Sequence, residues 1–153
     1  MDAEVSPEMA AQVLGMLTDG GSMDHINTSL ALHLIPLAQE VGDQDLVEQL
    51  LDHASRIATN DEERGWAKFE ALKIVEATVE SFLRLAEEAE QLDGAQALTA
   101  AVNHYIALLY LAEGQLDEAR AIAQHALRMR HLSEDKQGLS YGMALLMTVA
   151  KRQ

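Results

Sequence analysis

Apolar residues recur at spacings of three and four along almost the whole chain, and short polar interruptions cut that pattern into segments. Such spacing lays one apolar stripe along a helix. The alternating Val, Ile and Thr runs that mark strands are missing. Ser6-Pro7-Glu8 opens a first helix, with proline at its first position behind a serine cap, and the stripe runs to about Leu17. After the loop "TDGGS", Ser22 is expected to cap a second helix carrying Ile26, Leu30, His33, Leu34 and Leu37. That helix should be kinked by Pro36 and stop at Gly42. A third, "LVEQLLDHASRIA", follows, with Asp45 and Glu48 at capping-box spacing.

From Asp61 to Asp93 the stripe of Trp66, Phe69, Leu72, Val75, Val79, Phe82, Ala86 and Ala89 is continuous, with neither Pro nor Gly after Trp66. The pattern predicts a single helix, about 45 Å long from Trp66 if unbroken. Gly94 ends it. "AQALTAAVNHYIALLYLAE" then leads to Gly114, "LDEARAIAQHALRM" follows, and Ser133 should cap a last helix through about Ala150. The expectation is all-α: about seven antiparallel helices in one domain over residues 1–153, with a compact helical bundle as the alternative arrangement.

Composition supports this class. The chain is 48% hydrophobic but only 4% aromatic, with 2 prolines, and is rich in helix formers. It has no cysteine, which removes disulfides and thiolate metal sites. No apolar run approaches the ~20 residues that span a bilayer, and the acidic start "MDAEVSPEMAAQ" is unlike a secretory signal. A cytoplasmic location, away from membranes, is the expectation. The net charge of −14 argues against a nucleic-acid partner, which needs a basic face.

The distribution of charge says more than its sum. Met1 to Ser55 holds ten acids and neither Lys nor Arg. From Arg120 to the end, Arg120, Arg128, Arg130, Lys136, Lys151 and Arg152 face only Glu134 and Asp135. Such a division suits a solvated acidic surface, an acidic docking face for a basic segment, or association of copies acidic end to basic end.

Between Ala107 and Met129, Gly114 separates two helical runs and can take the left-handed conformation that ends the first. Asp117 and Glu118 favour the start of the second, and Ala119, Ala123 and Ala126 share one face that lets a paired helix come close. Tyr110, one turn before the glycine, is positioned to fill the space the alanines leave.

Through Tyr110, Gly114, the "LDEA" of Leu116 to Ala119, and Ala126-Leu127, the segment Asn103–Leu132 resembles a tetratricopeptide repeat, a helix–turn–helix unit of about 34 residues. It departs from that family in carrying Asn103 where a tryptophan is common and in lacking a closing proline near His131. A weaker match surrounds Gly42, with Val47 at the close-packing position. Gly42 and Gly114 lie 72 residues apart, close to two repeats, so a unit between them should turn near Thr78, where no glycine stands.

The resemblance implies a short right-handed superhelix and a protein–protein adaptor. Its concave groove would be lined by Ala101, His104, Leu108 and Leu111, and in the weaker unit by Leu32, Gln39 and Glu40. The partner would be a protein or peptide with a basic or amphipathic segment, and no cofactor is implied.

Other chemistry is sparse. None of the six histidines has Glu three residues before it and no two lie four apart, so no helical metal site is expected. Nucleophile–base pairs and phosphate-cradling glycine loops are not recognisable, and enzymatic activity is not expected. "SYGMALLMTVA" is apolar almost all round, and Gly142, Met143 and Met147 suit either a capping helix or a homodimer contact. Two other functions fit the pattern: a bundle holding a small molecule or metal, and a structural homo-oligomer built on the last helix.

Overall fold

The computed structural model describes residues 6–132 and 136–152, with side chains for 6–130 and 142–152. Among these residues the fold is all-α, with eight helices and no strand. Helix α1 (Pro7–Thr18) begins as the sequence predicts, Ser6 Oγ accepting from the Met9 amide at 3.1 Å. Helix α2 (Thr28–Glu40) starts later than expected. Asn27 caps it, accepting from the Leu30 amide at 2.8 Å, while Ser22 accepts from the Asp24 amide at 3.1 Å in a local turn. Pro36 is exposed inside α2, and the helix continues past it to Glu40. The cap of α3 (Gln44–Ile57) is Asp43 rather than Asp45, with the Leu46 amide donating to its carboxylate at 3.1 Å. The remaining elements are α4 (Asp61–Ile74), α5 (Val79–Glu90), α6 (Gln96–Ala112), α7 (Leu116–Leu132) and α8 (Lys136–Arg152). The cap expected at Ser133 lies outside the described residues.

The single helix expected over Asp61–Asp93 is two, α4 and α5. Glu76 stands at φ +51° between them. The Ala77 amide reaches back to the Leu72 carbonyl at 3.0 Å, and the Glu76 amide to Lys73 at 3.2 Å. This six-to-one closure is the same device that ends α2 and α6, where Asp43 N–H meets Ala38 O at 3.1 Å and Gln115 N–H meets Tyr110 O at 2.9 Å. There the left-handed residue is glycine, Gly42 and Gly114, each at φ +76°. The signal for the break is not a glycine but four β-branched residues, Ile74, Val75, Thr78 and Val79, which lose side-chain freedom in a helix. Val75, expected on the buried stripe, is 70% exposed.

The chain forms two compact units, Met1–Ala71 and Leu72–Gln153. In the first, α1 packs on α2 and α2 on α3, around the fully buried Leu34, Ile35, Val47, Leu50 and Ala54. Two polar pins tie the start of α2 to the end of α3. Thr28 Oγ1 donates to the Ala54 carbonyl at 3.1 Å, and His53 Nε2 donates to the Ile26 carbonyl at 2.7 Å. His53 is therefore a satisfied core histidine. At the start of α4, the Glu63 amide donates to Asn60 Oδ1 at 2.8 Å, and the Thr59 hydroxyl and amide both donate to Glu63 Oε1 at 2.6 and 2.8 Å. Those two bonds, the hydroxyl's first, hold the Glu63 carboxyl below its ordinary pKa. Beyond that first turn, Trp66 and Phe69 stack with ring centroids 6.2 Å apart.

In the second unit α5, α6, α7 and α8 pack in succession, each on the next. Helix α6 is central: Leu98, Ala100, Val102, Ile106 and Ala107 are fully buried. Its polar Asn103 and Thr99 are paired internally, to Thr99 O at 2.9 Å and to Ala95 O at 3.0 Å. The alanine ladder of α7 is buried, and Ala119 and Ala123 join Ala107, Leu111, Leu145 and Val149 in one cluster. Tyr110 packs against that cluster, as its place one turn before the glycine suggests.

Two outcomes follow for stability. A left-handed non-glycine residue costs about 1–2 kcal/mol, partly offset by glycine's greater freedom when unfolded. Glu76→Gly should therefore raise unfolding free energy by about 0.5–1 kcal/mol in denaturant titrations. Ala123→Leu should lower it by about 1–3 kcal/mol, because the ladder leaves no room for the added carbons.

Candidate functional site

The core takes most of α6, and what remains is one outer stripe. Ala101, His104 and Tyr105 are half-buried on it, and Leu108 is 41% exposed. Neighbouring helices hold its polar members in place. From α7, Arg130 Nη1 donates to His104 Nδ1 at 2.9 Å. Tyr105 packs on Phe82 of α5, with centroids 4.9 Å apart, and Lys73 Nζ in the last turn of α4 stands 5.9 Å from the Tyr105 ring centre. Burial first, and the Arg130 charge second, push the His104 pKa below its ordinary value. The ring is therefore neutral at pH 7.

Further along α7, His125 Nε2 meets Glu90 Oε1 of α5 at 2.6 Å, and Arg128 Nη2 donates to His125 Nδ1 at 3.4 Å. The C-terminal half of α7 thus takes part in two histidine–arginine pairs, His125–Arg128 within it and Arg130 with His104 of α6.

The residues singled out in the sequence separate into groups. Ala101, His104 and Leu108 share the outer stripe of α6, whereas Leu111 turns inward to the alanine cluster. Leu32 is likewise a core residue, in the first unit. Gln39 and Glu40 are exposed at the end of α2, beside the left-handed Gly42. Gly142 is buried between helices: a Cβ there would come 2.9 Å from Leu127 Cδ1 and 3.6 Å from Arg130 Nη1. Met143 and Met147 are exposed on α8.

Sequence reasoning did not assign Lys73, Phe82 or Arg130 to this face. Arg130 stands 26 positions from His104, and only the α6–α7 packing brings the two together.

Two open clefts lie elsewhere in the second unit. One, of about 280 Å³, is lined by Arg120, Gln124, Leu146 and Ala150 between α7 and α8. The other, of about 420 Å³, lies at the start of α7 among Gly114, Gln115, Leu116, Asp117 and Glu118. The two carboxylates already complement the positive end of that helix. Among the described residues no three His, Asp or Glu side chains gather as metal ligands do, and no helix is long and apolar enough to cross a membrane.

Comparison of the chain with protein-family models, with curated proteins and with solved structures returns no match.

The His104–Arg130 pair is open to direct titration. By NMR, the His104 ring should titrate below the ordinary 6.5. Arg130→Gln should raise the midpoint only partway back, because burial is the larger cause. The unfolded chain takes up this proton first as the pH falls. The stabilising contribution is therefore full above 6.5 and is lost as the pH drops through the lower folded value. A midpoint at or above 6.5 would contradict the described pairing.

Proposed function

We propose that this chain is a non-enzymatic, tetratricopeptide-like interaction module of the cytoplasm that binds an amphipathic segment of a partner protein along the outer stripe of α6. The observation that carries this reading is Leu108, an exposed apolar residue in mid-helix, flanked by His104 and Tyr105, which α7 and α5 hold in place. A surface ordered before binding loses little entropy on docking. The spacing of the turns gives independent support. The left-handed residues at the α2–α3, α4–α5 and α6–α7 turns, Gly42, Glu76 and Gly114, stand 34 and 38 positions apart, with the left-handed Gly94 at the intervening α5–α6 turn, against a tetratricopeptide period of about 34.

Of the two partner chemistries drawn from the sequence, the amphipathic one suits the α6 stripe. Lys73 and Arg130 lie beside it, and neither supplies the acidic group that a strongly basic segment would need there. Basic residues of a partner suit the acidic surface of α1 to α3, including Glu40 and Glu48.

Capture of partners from the native cell, run side by side with wild type and Leu108→Asp, tests the assignment. The variant should keep its helical content and thermal midpoint. A partner held by the wild type should bind it at least about tenfold more weakly, a loss of about 1.4 kcal/mol. Equal retention by both proteins would remove the α6 stripe as the docking site.

A further inference from the structure

The first and last helices each carry an apolar stripe that their own packing leaves open. Helix α1 buries Ala10 and Leu17, one face of its roughly three turns. Met9 and Met16, seven residues apart, make a second apolar line beside it, and Met16 is 63% exposed. Helix α8 buries Leu145 and Val149 in the alanine cluster. Met143 and Met147, four residues apart, are exposed next to that face, Met147 at 60%, with Ala150 continuing the line. Helical arrays need polar outer faces at their ends to stay apart. On α1 and α8 part of the exposed surface is instead methionine.

We infer that the Met143–Met147 stripe of α8 docks on the Met9–Met16 stripe of α1 in a second copy of this chain, antiparallel and head to tail. Charge selects this occupant. Helix α8 ends in Lys151 and Arg152, both exposed. Helix α1 opens with the exposed Glu8 and lies in a stretch, Met1 to Ser55, that has acids and no Lys or Arg. Antiparallel pairing sets Lys151 and Arg152 beside Glu8 and the N-terminal end of α1, so side-chain charges and helix dipoles are matched together.

The alternatives within one type of helix are poorer. An α1–α1 pair would appose acid with acid. An antiparallel α8–α8 pair would bring Lys151 and Arg152 to the opening turn of the other α8, where the sequence sets Lys136 directly behind Glu134 and Asp135, a weaker acidic partner than a stretch with acids and no Lys or Arg. Methionine's unbranched chain allows two lines of unequal spacing to interdigitate. Because the two surfaces differ, each copy keeps one free end, and association continues into chains unless the geometry closes a ring.

Sedimentation velocity over a wide dilution series at low salt reads the outcome, with circular dichroism confirming that each variant is folded. The wild type should grow in mass with concentration, and high salt should weaken association about tenfold. Glu8→Lys alone, and Lys151→Glu with Arg152→Glu, should each weaken it by about tenfold, and Met147→Asp by at least as much. The chain carrying all three charge reversals should associate again, within about threefold of wild type. A mixture of the Glu8→Lys variant with the Lys151→Glu, Arg152→Glu variant should grow in mass as the wild type does, since each end of one is complementary to an end of the other.

Three results would overturn the inference. The wild type could stay monomeric at every concentration. A dimer could be broken by Met147→Asp yet untouched by Glu8→Lys, which would mean α8 pairs with α8. The triple reversal could remain as weak as the separate ones, which would mean the charges do not meet.

Discussion

The second unit depends on how closely α6 and α7 approach. Ala119 and Ala123 of α7 share one cluster with Ala107 and Leu111 of α6, and Tyr110 packs against it. Gly114 makes this possible, because the reversal must be completed within a few residues for the two faces to meet in register. Once the pair is set, α5 and α8 each have a surface to lie on, and the outer stripe of α6 is what remains uncovered. The proposed recognition surface is in this sense a residue of the packing and not a separately built feature.

The elements that were legible in the sequence are those set by local chemistry. Ser6-Pro7, Gly42, Gly114 and the alanine ladder each act within a turn or two of themselves, and each is found where the pattern puts it. The break at Glu76 was missed because its cause is distributed. No single residue there forbids a helix, but four β-branched residues weaken it together, and the chain accepts a left-handed glutamate to close α4. Asn27 in place of Ser22, and Asp43 in place of Asp45, show the same limit at smaller scale: several residues could cap, and tertiary packing chooses among them.

The α6 stripe was only half legible. Helical periodicity puts His104 and Leu108 on a common face, but it places Leu111 there as well, and the structure gives Leu111 to the core. What decides between the two fates is the position of α7 and α8, which no local pattern records. Lys73, Phe82 and Arg130 belong to the site through the same long-range packing, so they left no mark near it in the sequence. Charge, by contrast, was visible as a gradient along the chain from the outset. Its local arrangement inverts part of that gradient, with cations beside an outer face in a protein whose net charge is −14.

The contact between Arg130 and His104 also settles which kind of hydrogen bond the imidazole can still make. A guanidinium only donates, so Nδ1 must be the ring's bare nitrogen, and in the neutral ring the proton resides on Nε2. The accepting side of the ring is already occupied from within the protein. Any atom that bonds His104 from outside has to bring a lone pair, as a main-chain carbonyl or a carboxylate does, and a hydroxyl can do so only through its oxygen. An amide nitrogen or an ammonium group arriving at the same place would meet a hydrogen already pointing at it.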